Sequence, residues 1–187
     1  GQRSQALAEV DAIWLHGRSR PKSCDPVFAA WERAGLRTDQ KTWQRIALAM
    51  QAGEWRLARY LSRPLGDSDK AWVERWISLY RDPTRTGEDA RYASPHPYRE
   101  VMLAQAVRRH AIRDGLQAMQ RWQRIKPRYA FTPEQISETE HYIVRNLVRV
   151  GDPSAYAFIR QVDFDKADEK AYNARIRAAL LRQDWPQ

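Results

Sequence analysis

Histidine, cysteine and carboxylate side chains carry most acid–base, nucleophilic and metal chemistry in proteins, and in this chain their spacing fits none of the three. The four histidines, His16, His96, His110 and His141, are scattered without a His-x-x-x-His pair, and Cys24 is the single cysteine. A metal centre needs three or four such ligands to converge, so neither a metal nor a cofactor is expected. Glu138 and Glu140 suggest a carboxylate pair, but residues two apart on a helix point away from each other. With Glu134 they read instead as a solvated acidic first turn that complements the helix dipole. No Gly-rich phosphate loop, nucleophile elbow or Cys-His arrangement occurs. The chain is therefore expected to hold no catalytic residue.

Charge is the second chemical signal. Lysine and arginine total 32 against 23 acidic residues, a net charge of +9. Residues 99–128 hold Arg99, Arg108, Arg109, Arg113, Arg121, Arg124, Lys126 and Arg128 against only Glu100 and Asp114, whereas 132–170 is mildly acidic. An oriented field of this kind attracts anionic partners. Arg108, Arg109, Arg121 and Arg124 are the candidate polymer-binding residues. The interleaved Trp122 and Tyr129 allow a nucleic-acid reading, cations on phosphates and rings on bases. The alternative is a solvated face with Trp122 buried.

The elements that must position these residues are helices. Eight Trp, eight Tyr and four Phe supply bulk, Gly numbers only eight, and period-two runs are few, so the fold class is all-α. Ser4–Leu15 carries Leu7, Val10 and Trp14 on one face and ends at Gly17. Asp25 is placed to cap a helix opened by Pro26, with Val27, Phe28, Trp31 and Ala34 on one face and Gly35 as the stop. Thr38 or Asp39 caps the next helix, where Trp43, Ile46, Ala47 and Met50 keep the i, i+3, i+4, i+7 rule up to Gly53. Glu54–Leu61 folds back on it. Ala71, Trp72, Ile77 and Tyr80 share a helix that ends before Asp82-Pro83.

The pattern weakens over 82–97, which holds Pro83, Gly87, Pro95 and Pro97 and reads as an irregular joint. Beyond it, Tyr98–His110 and Gly115–Ile125 form an antiparallel pair. Thr132-Pro133-Glu134-Gln135 is a capping box opening a helix to Val150, and Ser154–Gln161 and Lys166–Arg182 complete the set. Helix pairs of this length stacked in order make an irregular right-handed α-superhelix, the alternative being an ordinary helical bundle. No run of 18 or more apolar residues occurs, so no membrane span is expected.

Pro21-Lys22-Ser23-Cys24-Asp25, with Phe28 and Trp31 after it, resembles a stretch of the helical superhelix in soluble lytic murein transglycosylases of Gram-negative bacteria. Lys41–Gly53 resembles the next long helix of that family and its Ala-Gly stop, Tyr98–Asp114 the helix after its irregular connector, and looser matches run to Arg175–Leu180. The resemblance implies that residues 1–187 are a fragment of the superhelical domain of a periplasmic enzyme. That enzyme cleaves the β-1,4 bond between N-acetylmuramic acid and N-acetylglucosamine, leaving a 1,6-anhydro end. The family does this with one acid in a Glu-Ser-x-Trp motif, in a lysozyme-like module after the superhelix. No Glu here precedes Ser, and Gly115–Gln120 echoes a second family motif only superficially, its simpler reading being a helix turn with Leu116 and Met119 in the core.

The chain is thus expected to be a substrate-holding scaffold, with peptidoglycan strands and the rest of the polypeptide as partners and the catalytic module outside it. Murein stems carry carboxylates, which gives the basic stretch a third reading as a wall that attracts this polymer. For Cys24 the resemblance implies a disulfide to a cysteine outside the chain; the residue type alone suggests a small buried apolar group. A non-catalytic helical-repeat adaptor, with nucleic acid a less favoured ligand, is the alternative function.

Overall fold

A computed structural model of the chain describes residues 9–87, 89–152, 154–162 and 169–181, and every element among them is helical. The chain divides into two compact units, Gly1–Tyr80 and Arg81–Gln187.

In the first unit, α1 covers residues 9–14 and buries Val10 and Trp14; Leu7, assigned to the same face, lies outside the described residues. A 3-10 turn, Lys22–Cys24, leads into α2 (Asp25–Arg33). Asp25 is the first residue of α2 and makes no capping hydrogen bond, because the 3-10 turn already runs helically into it. The expected cap is therefore absent. The apolar face of α2 is also narrower than expected: Trp31 is fully buried, Phe28 half-buried, and Val27 and Ala34 exposed. Trp31 is fixed through its ring nitrogen, which donates to Asp11 Oδ1 at 2.9 Å, while Lys41 pairs with the same carboxylate at 2.8 Å. One carboxylate thus joins α1, α2 and α3 (Asp39–Gln51).

Thr38 caps α3, accepting from the Lys41 amide at 3.2 Å. Trp43, Ile46, Ala47 and Met50 are buried as their spacing predicts. After α3 the amides of Gly53 and Glu54 return to Met50 and Ala49, the two bonds of a Schellman turn, with Gly53 at φ 81°. The chain then folds back as α4 (Trp55–Leu61) and continues as α5 (Asp67–Arg81). A bidentate Arg59–Glu74 pair at 2.6 and 2.7 Å ties α4 to α5. Gly17 is not the helix stop expected of it: α1 has ended, and a Cβ at Gly17 would lie 2.6 Å from the Leu48 carbonyl oxygen. Its smallness lets the loop lie against α3.

The second unit opens with 3-10 turns at Pro83–Gly87 and Asp89–Tyr92. Then follow α6 (Arg99–Ala111), α7 (Gly115–Ile125), a 3-10 turn at Lys126–Arg128, and α8 (Pro133–Arg149). α9 (Ser154–Ile159) and α10 (Glu169–Leu181) close the unit; residues 166–168 and 182, expected in the last helix, lie outside the described residues. Helices α6, α7 and α8 pack on one another around Leu103, Val107, Ala118, Trp122, Ile143 and Leu147, all essentially inaccessible. Asp114 caps α7 and Thr132 caps α8, the latter with the full capping box to Gln135.

Candidate functional site

The four candidate arginines of the second unit sit on α6 and α7. Arg108 and Arg109 fall in the last turn of α6, where cations offset the negative end of the helix dipole. Arg108 is turned toward α8: its Nη1 donates to Glu138 Oε2 at 3.1 Å and lies 3.5 Å from Thr139 Oγ1. Burial lowers its pKa, and Glu138 and Tyr142 act against that shift. Arg108 is thus a structural clamp between α6 and α8. Arg109 is half-exposed. Arg121 and Arg124 are three residues apart on one side of α7. Arg121 is half-exposed and shares the field of Asp82 and His110. Arg124 is exposed, with no carboxylate partner among the described residues.

Trp122 is completely buried, and its ring nitrogen donates to Glu140 Oε1 at 3.0 Å. It offers no face on which a base could stack. Glu140 departs from expectation: it is only 6% exposed and accepts a second bond from Lys126 Nζ at 2.8 Å. The residue read as part of a solvated acidic turn is a buried acceptor, and only Glu134 and Glu138 are exposed. Leu116 does not take the core position expected of it. It is 36% exposed and Met119 half-buried, while Ala118 and Trp122 take the core positions.

Two of the histidines brace nearby backbone. His16 Nδ1 accepts from the Arg18 amide at 3.1 Å and His96 Nδ1 from the Tyr98 amide at 3.2 Å. His110 is buried with Nδ1 unpaired, and burial followed by the field of Arg121 pushes its pKa down. Among the described residues no group of His, Cys, Asp and Glu side chains could hold a metal ion. Cys24 is half-buried and free.

The first unit holds a feature the sequence reading missed, a half-open cleft of about 390 Å³ whose walls include Trp14, Phe28, Arg45 and Tyr60. Arg45 is only 4% exposed, and its guanidinium lies 4.0 Å from the centre of the Trp14 ring and 5.8 Å from that of Phe28. Its Nε and the Trp14 ring nitrogen are both buried without an acceptor. Burial, then the charges of Arg20 and Arg37, lower the Arg45 pKa to about 10, so the group stays charged at neutral pH. The available signal was the position of Arg45 in α3, directly before the buried Ile46 and Ala47 and two residues after the buried Trp43.

Every described element is helical and no strand occurs among the described residues, so the class is all-helical. No protein-family model matches the sequence. Over 115 residues the chain is 29% identical to the soluble lytic murein transglycosylase of Escherichia coli strain K12, an overlap of 62% of this chain and 18% of that protein. Over 83 residues it is 31% identical to the same-named protein of Salmonella typhimurium strain LT2, covering 44% of this chain and 13% of that one.

Among solved structures, an inactive mutant of the lytic transglycosylase Slt from Pseudomonas aeruginosa matches all of this chain over 32% of its own, with a TM-score of 0.80 and 23% identity. The 70 kDa soluble lytic transglycosylase of Escherichia coli matches 98% of this chain over 35% of its own, with a TM-score of 0.63 and 20% identity. The chain is thus similar to soluble lytic murein transglycosylases, and the likeness is to a helical region, as the Pro21–Asp25 segment led us to expect. The chain spans under a fifth of the length of the curated relatives it matches. No described helix is long and apolar enough to cross a membrane.

Proposed function

We propose that this chain is a substrate-holding part of a periplasmic peptidoglycan lytic transglycosylase, and that bond cleavage is supplied by a lysozyme-like module elsewhere in the polypeptide. The observation that carries the reading is the match of the entire chain to one third of a lytic transglycosylase. The absence of any Glu-Ser pair in the sequence supports a non-catalytic role. The reaction assigned to the whole polypeptide is cleavage of the β-1,4 bond between N-acetylmuramic acid and N-acetylglucosamine with formation of a 1,6-anhydro end. Cys24, half-buried and free, is assigned a disulfide partner outside the chain.

Murein stems carry carboxylates, and the exposed cations of α7 and the end of α6 provide a surface that attracts them by charge alone. Arg121 and Arg124 are the principal residues of this surface, Arg109 adds charge from the last turn of α6, and Arg108 contributes mainly to the fold. Burial of Trp122 argues against the nucleic-acid alternative. Incubating the purified chain with murein and analysing the soluble products by mass spectrometry is expected to yield no 1,6-anhydro-muropeptides above a protein-free blank. Sustained release of such products by the clean chain would refute the scaffold assignment.

A further inference from the structure

Two buried donors without acceptors on the wall of one cleft are unusual, because burying a polar group unpaired is costly. Arg45 is the more costly of the two, since it is a full charge. Its stacking on Trp14 satisfies the face of the guanidinium but none of its N–H groups, which lie in the guanidinium plane. No carboxylate or carbonyl among the described residues accepts from it. The neighbouring cations are differently placed: Arg20 donates to the Ile13 carbonyl and Arg37 pairs with Glu32 at 2.8 Å. Arg45, by contrast, finds no acceptor among the described residues, and it lines the cleft with Trp14, whose ring nitrogen is also unpaired.

We propose that this cleft is a binding subsite for a monoanionic carboxylate, with the Arg45 fork as its anchor and Trp14, Phe28 and Tyr60 as its walls. A planar carboxylate fits a planar guanidinium with two parallel hydrogen bonds. A dianion is disfavoured because Asp25 and Glu32 also line the cleft and only Glu32 is matched by an arginine. The volume lies at the low end of the roughly 300–1,000 Å³ of small-ligand sites, enough for one sugar ring or a dipeptide end. The aromatic walls suit the apolar face of either. A carboxylate of this kind comes from a sugar acid or from a peptide C-terminus. The proposal does not depend on the murein reading, because its ligand is defined by the cleft.

The test is titration of the 187-residue chain, observed through the ring N–H resonance of Trp14 in a ¹⁵N correlation spectrum, that signal being assigned by its loss in Trp14→Phe. The probes are N-acetylmuramic acid and N-acetyl-alanyl-alanine, and the amidated dipeptide serves as the control. Saturable movement of the Trp14 signal with at least one acid, and none with the amide, is expected, and which acid binds identifies the source. Arg45→Met should weaken binding by about tenfold or more, the loss of a charged hydrogen-bond pair. Ala29→Glu places a competing carboxylate at an exposed, helix-compatible position on the cleft wall and should abolish the shift with helicity unchanged. No saturable shift with either acid, equal shifts with the amide, or an Ala29→Glu variant that binds like the parent would overturn the proposal.

Discussion

Glu140 shows how one side chain organises the second unit. Its carboxylate accepts from Trp122 and Lys126, so a buried indole N–H and a half-exposed ammonium share one acceptor. Glu140→Leu strands the Trp122 donor and is expected to cost about 2–3 kcal/mol in chemical denaturation, whereas Glu140→Gln keeps an acceptor and should cost about 1 kcal/mol. Equal losses for the two variants would show that the Trp122 bond is not what matters. His110 gives the unit a pH dependence. It is buried, and its pKa is held below its usual 6.5 by burial first and by Arg121 next, with Arg113 adding to them and Asp114 and Asp82 opposing. The unfolded chain therefore takes up this proton before the folded one. The stabilising contribution is complete above about pH 6.5 and declines as the pH falls from there toward the lowered folded value. Melting curves between pH 7.5 and 5.5 should show that slope, and His110→Leu should flatten it.

Helix ends were the most readable part of the sequence because their chemistry is local. Thr132 and Gln135 close their capping box as the Thr-Pro-Glu-Gln order indicates, and Thr38 and Asp114 each hold an amide of their own first turn. Gly35, Gly53 and Gly151 all take positive φ, the conformation a Schellman stop requires. Thr132→Ala should destabilise α8 by about 1 kcal/mol, measured by denaturant unfolding, with the loss seen first as faster amide exchange at Glu134 and Gln135. Features set by partners distant in sequence were not readable. Asp25 loses its capping role to the 3-10 turn before it, and Gly17 serves close approach to the Leu48 backbone. Arg45 and Glu140 are buried only because aromatic side chains from other helices enclose or bond them. A helical wheel places such residues on a face but gives no account of what that face meets.

Across the chain, the excess charge was legible as +9 but its deployment was not. The four arginines grouped by sequence include one, Arg108, that is spent on Glu138, and one, Arg124, that is exposed on α7. Attraction of murein by the remaining cations is a surface effect. It should fade as the Debye length shortens to roughly 8 Å near physiological salt. The most direct measurement is co-sedimentation of the purified chain with murein at low and physiological salt, for the parent and for the Arg121→Gln, Arg124→Gln double variant. The scaffold reading predicts saturable pelleting of the parent at low salt, weaker pelleting at physiological salt, and a clear reduction in the double variant with circular dichroism unchanged. A parent chain that stays in the supernatant at every salt concentration, or a double variant that pellets as fully as the parent, would contradict it.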